Sequence, residues 1–171
     1  SFVRPAMFDL LMNEPSELVV KAKATVSQIM EVRTALELLA ADLAIERATD
    51  EELAVVRKTL NDLQQAIASE KPWAVAGSTF HIQIAELSKN PLLLKNVQIL
   101  SSTVAKYKDA MFAANTDMAL YKKEHEKILD ALCKRDKRAA HRAMIRHMEI
   151  TEADILRLID KNNASEFLNV E

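Results

Sequence analysis

The sequence predicts an all-α protein, an antiparallel helical bundle of six to seven helices, and three observations carry that prediction. A single glycine and four prolines in 171 residues leave few positions for the tight turns of a sheet protein. Ala, Leu, Glu, Lys and Met dominate instead, and these are strong helix formers. Apolar residues recur at three- and four-residue spacing along long segments, and the segments are separated by short polar connectors. Short connectors between long amphipathic helices make neighbours antiparallel.

The opening "SFVRPAMFDLLMNEPSEL" reads as a short extended piece followed by a connector holding Pro5 and Pro15, so residues 1–23 are expected to link this domain to something upstream. From about Ala24 to Arg47, Val26, Ile29, Met30, Leu36, Ala40 and Leu43 form one stripe of a long first helix. Thr49 with Glu52 three positions later is a capping box that opens a second helix to about Ala68, with Leu53, Val56, Leu60, Leu63 and Ile67 inward. Ser69 and Pro72 start a third helix that ends near Ser88 and buries Trp73, Phe80, Ile84 and Leu87. Asn90 as cap and Pro91 at the first helical position start the fourth, to about Ala114. A fifth covers about 117–134, Asp136 caps a sixth over about 137–160, and residues 161–171 read as a frayed tail. The domain proper is thus expected over 24–160.

Composition excludes several functions. A net charge of −2 and 5% aromatic residues give none of the basic field that nucleic-acid binding needs. The lone Cys133 cannot form an internal disulfide, and apolar runs such as "ALELLAADLAI" are cut by charges well before the ~20 residues that span a bilayer. A cytoplasmic protein with no membrane segment is expected. No Ser/His/Asp set, glycine-rich phosphate loop or HExxH is present, and no histidine follows a Glu by three positions as di-iron bundles require.

The four histidines differ in their helical positions. His125 lies in the stripe of Met118, Tyr121, Ile128, Leu129 and Leu132, and His147 lies among Ala140, Ala143, Met144, Thr151 and Ile155. Both point inward. His81 flanks the apolar stripe of its helix, one turn after the only glycine, Gly77, whereas His141 falls about 80° or more from its core direction and is expected at the surface. One inward histidine is ordinarily a packed core residue, but three on three helices of one bundle can converge on a metal ion and leave positions open for water or a ligand carboxylate. Arg33 is the other unusual residue, since it stands centrally in the apolar stripe of the first helix with Glu37 four residues on. It can pair with Glu37 along the helix, or aim its guanidinium into a cavity to grip a carboxylate. Lys106 and Tyr107 can line a pocket or simply a helix surface, and "YKKEHEK" and "CKRDKRAAHR" read as solvated helix ends.

The segments "EVRTALELLAADLA" (31–44), "FHIQIAELSKNPLL" (80–93), "EHEKILDAL" (124–132) and "DKRAAHRAMIRHM" (136–148) together resemble the FadR-type C-terminal domain, FCD, of GntR-superfamily bacterial transcription regulators. The resemblance covers roughly residues 25–158, and the histidine spacings of 44 and 22 suit it. It implies an all-α effector-binding and dimerising module, a homodimer that reaches operator DNA through a preceding winged helix-turn-helix whose last strand would end in "SFV". In metal-binding members three histidines and an aspartate hold a divalent ion such as Zn, Ni or Mn, and an organic-acid effector completes the coordination. Carried over by position, the ligands are His81, His125 and His147, and Arg33 contacts the effector carboxylate. The motif D-x-x-x-H places the aspartate four residues before His81, where this chain has Gly77. A missing anionic ligand weakens metal affinity and frees space for a larger effector.

Two functions of different class follow. The first is a ligand-sensing, non-enzymatic domain that binds a small carboxylate and controls operator-DNA binding by the upstream domain. The second is a metal-dependent hydrolase or lyase with a three-histidine site, against which stands the absence of an inward acid beside a histidine as general base.

Overall fold

The structure, a computed structural model, describes the backbone of residues 15–68, 73–113 and 118–168, and side chains within 22–61, 78–105 and 119–161. Six helices make up the described residues: α1 Pro15–Arg47, α2 Asp50–Ala68, α3 Trp73–Leu87, α4 Pro91–Ala113, α5 Met118–Cys133 and α6 Lys137–Leu168. The all-α bundle expected from the sequence is the fold observed. The expected strand at 1–3 and the side chains of Leu63, Ile67, Trp73, Lys106, Tyr107 and Met118 lie outside the described residues.

The predicted caps set the helix starts. Thr49 N donates to Glu52 Oε2 at 2.9 Å while Glu52 N donates to Thr49 Oγ1 at 3.2 Å, the reciprocal pair that satisfies two free amides of α2. Asn90 Oδ1 accepts from Leu92 N and Leu93 N at 3.1 Å, and Asp136 Oδ1 accepts from Ala139 N at 2.9 Å. With glycine so scarce, α3 and α5 are terminated by Lys89 and Arg135, each at φ 54°.

Two helices are longer than the sequence predicts. α1 starts at Pro15, not near Ala24, because proline at a first helical position is pre-set for the helix and lacks an amide that would be unsatisfied there. α6 runs on to Leu168 through residues expected to fray.

Long α1 and α6 pack along each other, α3 and α4 form a tight hairpin, and α5 lies on α6. Lys23 pairs with Asp160, Ser27 with Glu152 and Lys137 with Asp42, so α1 and α6 are antiparallel over their length. The core between them holds Val26, Met30, Phe80, Ile84, Tyr121, Ile128, Leu129, Met144 and Ile155, each no more than 2% exposed. No helix among the described residues is long and apolar enough to cross a membrane.

Candidate functional site

The middle of this apolar core is polar. Arg33 and Glu37 from α1, His81 from α3, and His125 and His147 from α5 and α6 are all buried, none more than 1% exposed. Each arrives there because it occupies an inward position on its own helix, at three- or four-residue spacing from core neighbours such as Met30, Ile84, Ile128 and Met144. Nitrogen atoms of the three histidines lie within 4.8 Å of one another. The rings of His81 and His125 are 5.2 Å apart, those of His81 and His147 are 5.0 Å apart, and those of His125 and His147 are 4.5 Å apart. Phe80 closes one side at 4.6 Å from His125, and Tyr121 meets His147 edge-on at 5.8 Å.

Glu37 organises the cluster. One carboxylate oxygen accepts from Arg33 Nε at 2.8 Å and the other accepts from His81 Nδ1. Burial alone would raise the pKa of this carboxyl, but the charges of His81 and Arg33 and their hydrogen bonds outweigh it and hold the value down at about 2. With Nδ1 turned to Glu37, His81 turns Nε2 toward the cluster, where His147 Nε2 lies 3.0 Å away. Arg33 gives only Nε to Glu37. Its Nη1 and Nη2 are buried and find no hydrogen-bond partner among the described residues.

Arg33 thus pairs with Glu37 along the helix, and its two Nη atoms stay buried without a partner among the described residues. Sequence reasoning saw Glu37 only as that partner, because its contact with His81 joins residues 44 apart and no local pattern reports it. It also placed "YKKEHEK" at the surface, whereas Glu124 is 1% exposed and held by Lys127 Nζ at 2.6 Å. His141 is outside the cluster. It is half-buried instead of exposed, since Asp42 Oδ1 on α1 holds its Nε2 at 2.7 Å.

The donor set fits a divalent ion: three convergent imidazoles, dry surroundings, and a carboxylate that fixes one ring's tautomer from behind. Charge is the unsatisfied quantity. Glu37 and Arg33 offset each other, so an ion held by neutral histidines would bring two positive charges with no further anion beside them among the described residues. An open groove of about 320 Å³ between α1 and α6 is a poor place for an acid, because Glu31, Glu149 and Glu152 line it.

Comparison with known proteins agrees with the architecture. The FCD domain family model matches residues 28–150. The chain is 32% identical over 146 residues to the HTH-type transcriptional regulator YcbG of Bacillus subtilis, with 85% of this chain and 61% of YcbG covered. It is 29% identical to the HTH-type transcriptional regulator LutR of the same organism, covering 82% of this chain and 66% of LutR. It is 30% identical to the Uxu operon transcriptional regulator of Escherichia coli, covering 75% of this chain and 53% of that protein. The chain thus spans between about half and two thirds of these relatives, which are transcription regulators and not enzymes. Among solved structures, E. coli McbR/YncC superposes with a TM-score of 0.69 at 24% identity over 77% of this chain and 64% of that one. Streptococcus agalactiae GntR gives 0.65 at 20% identity over 88% and 62%. Those two show the fold. The match over the greater part of the sequence shows the family: the chain belongs to the FCD domain family, and its relatives are transcriptional regulators, two of them of HTH type.

Proposed function

We propose that this chain is the sensing and dimerising part of a cytoplasmic transcription regulator, and that it binds a small organic acid in the bundle core to control an upstream DNA-binding domain. The observation that carries the reading is the fork of Arg33: two buried nitrogens with no partner among the described residues, beside three convergent histidines. A guanidinium so placed matches a carboxylate in bidentate fashion. The acid would supply the negative charge that the cluster lacks.

His81, His125 and His147 would hold a divalent ion such as Zn, Ni or Mn, which when bound would add a Lewis-acidic contact for the acid's oxygen. Arg33 orients the carboxylate, Glu37 keeps Arg33 and His81 in register, and Phe80 and Tyr121 keep the chamber dry. Because the histidines are fully buried, an acid enters only if helices part and close again. Binding then favours one packing of the bundle over another, and a second copy of the chain would carry that difference to the paired DNA-binding domains.

A thermal-shift screen against organic acids tests the reading, since a ligand of the native state raises the unfolding midpoint. Acids should stabilise the wild-type chain and lose that effect in Arg33→Lys, which keeps the positive charge beside Glu37 but removes the fork. A chain that no acid stabilises, or an Arg33→Lys variant that responds like wild type, would overturn it.

A further inference from the structure

Next to the histidine cluster, α5 and α6 carry a second polar pair. Tyr121, one turn before His125, bonds Asp154, two turns after His147, at 3.1 Å, so the two helices run antiparallel. Their histidines face each other with rings 4.5 Å apart. Glu124 precedes His125 on α5 and Arg146 precedes His147 on α6. Across the same interface Arg146 Nε lies 3.9 Å from Glu124 Oε2.

The two side chains differ in their surroundings. Arg146 is 64% exposed, whereas Glu124 is 1% exposed. Lys127 Nζ donates to Glu124 Oε1 at 2.6 Å, but Oε2 is buried and finds no hydrogen-bond partner among the described residues. A buried carboxylate oxygen left without a donor is costly, and a charge-assisted bond from a guanidinium would relieve that cost. Arg146 faces the oxygen from about 1 Å beyond bonding distance. In an ordinary surface ion pair both groups are wet; here the acid is dry and its bond across the interface is unmade.

A small approach of α6 to α5 would make that bond, and the neighbouring histidines give a reason for the approach. An ion shared by nitrogens that lie within 4.8 Å of one another draws their helices together. Glu124 and His125 move with one turn of α5, Arg146 and His147 with one turn of α6, so the pull that gathers the imidazoles carries the guanidinium toward the carboxylate. We propose that Glu124 and Arg146 are positioning residues for the ion site, joined by a bond across α5 and α6 that closes as the three histidines close on the ion. Whatever the bond adds to the closed arrangement it adds to ion affinity. The inference rests on the metal-holding reading above and adds what secures the closed arrangement from outside the cluster.

Zinc retention, measured by competition with a chromogenic chelator, tests it together with the unfolding midpoint with and without zinc. Arg146→Ala should weaken retention by roughly fivefold or more, while Arg146→Lys, which keeps a cation, should restore most of it. Without zinc the midpoint of Arg146→Ala should stay within about 2 °C of wild type, because an exposed group that makes no bond adds little. Glu124→Gln should weaken retention as well, and adding Arg146→Ala to it should cost nothing further. An Arg146→Ala variant that keeps zinc as tightly as wild type overturns the inference. So does one whose midpoint falls equally with and without zinc, or a double variant whose losses add. Failure of the underlying reading looks different: wild type retains no zinc, and both ideas fall together.

Discussion

Glu37 accepts a hydrogen bond from His81 across the α1–α3 interface while its other oxygen holds Arg33, so one carboxylate couples the cationic and the imidazole halves of the site. Removing Glu37 strands a buried guanidinium. Glu37→Ala should therefore destabilise the chain by about 3–5 kcal/mol, whereas replacing both partners, as in Arg33→Met with Glu37→Leu, should cost much less. Urea unfolding of the two variants checks this, and equal losses would mean that the pair is not coupled.

Metal removal gives a second outcome. Purified chain should carry a divalent ion, and a chelator should lower its unfolding midpoint. His125→Ala should carry less metal and respond less to chelator. Elemental analysis that finds the same metal in both proteins would place the ion elsewhere.

Gly77 offers a gain of function. Aspartate at that position, one turn before His81, would restore the fourth ligand that the family motif implies, so Gly77→Asp should tighten metal retention by on the order of tenfold or more. Competition with a chromogenic chelator measures it, and unchanged retention would show that position 77 does not reach the site.

Tyr121 marks the pH behaviour of the core. Burial and the nearby carboxylate of Asp154, which accepts from its hydroxyl at 3.1 Å, push its ionisation well above the ordinary phenol value of 10.0. A group whose folded pKa is raised contributes stability that is present below the unfolded value and is lost as pH rises through the folded one. Stability should thus fall above pH 10, and Tyr121→Phe should flatten that fall. Absorbance of the tyrosinate should show Tyr121 ionising only as the chain unfolds; ionisation in the native chain at the ordinary value would contradict this.

Most of the bundle was legible in the sequence because its signals are local. Capping at Thr49, Asn90 and Asp136 fixes the starts of α2, α4 and α6 at Asp50, Pro91 and Lys137, and the inward stripes of His125 and His147 are visible on a helical wheel. Arg33 was conspicuous as a charge in an apolar face. What stayed hidden depends on tertiary register. Glu37 meets His81 only when α1 and α3 lie parallel, and the burial of Glu124 depends on the helices packed against α5. The extra turns of α1 and α6 were missed for another reason: Pro15 reads as a breaker unless it sits at a helix start, and the end of α6 carries no clear stop signal.

The central claim is that three histidines and Arg33 make one acid-binding chamber. Nuclear magnetic resonance of the chain labelled at its imidazole nitrogens tests it most directly, during titration with an acid that raises the unfolding midpoint. The account predicts that the resonances of His81, His125 and His147 move together and saturate at one acid concentration, while His141, held by Asp42 outside the cluster, stays in place. Movement of His141 with the three core histidines unmoved would contradict it.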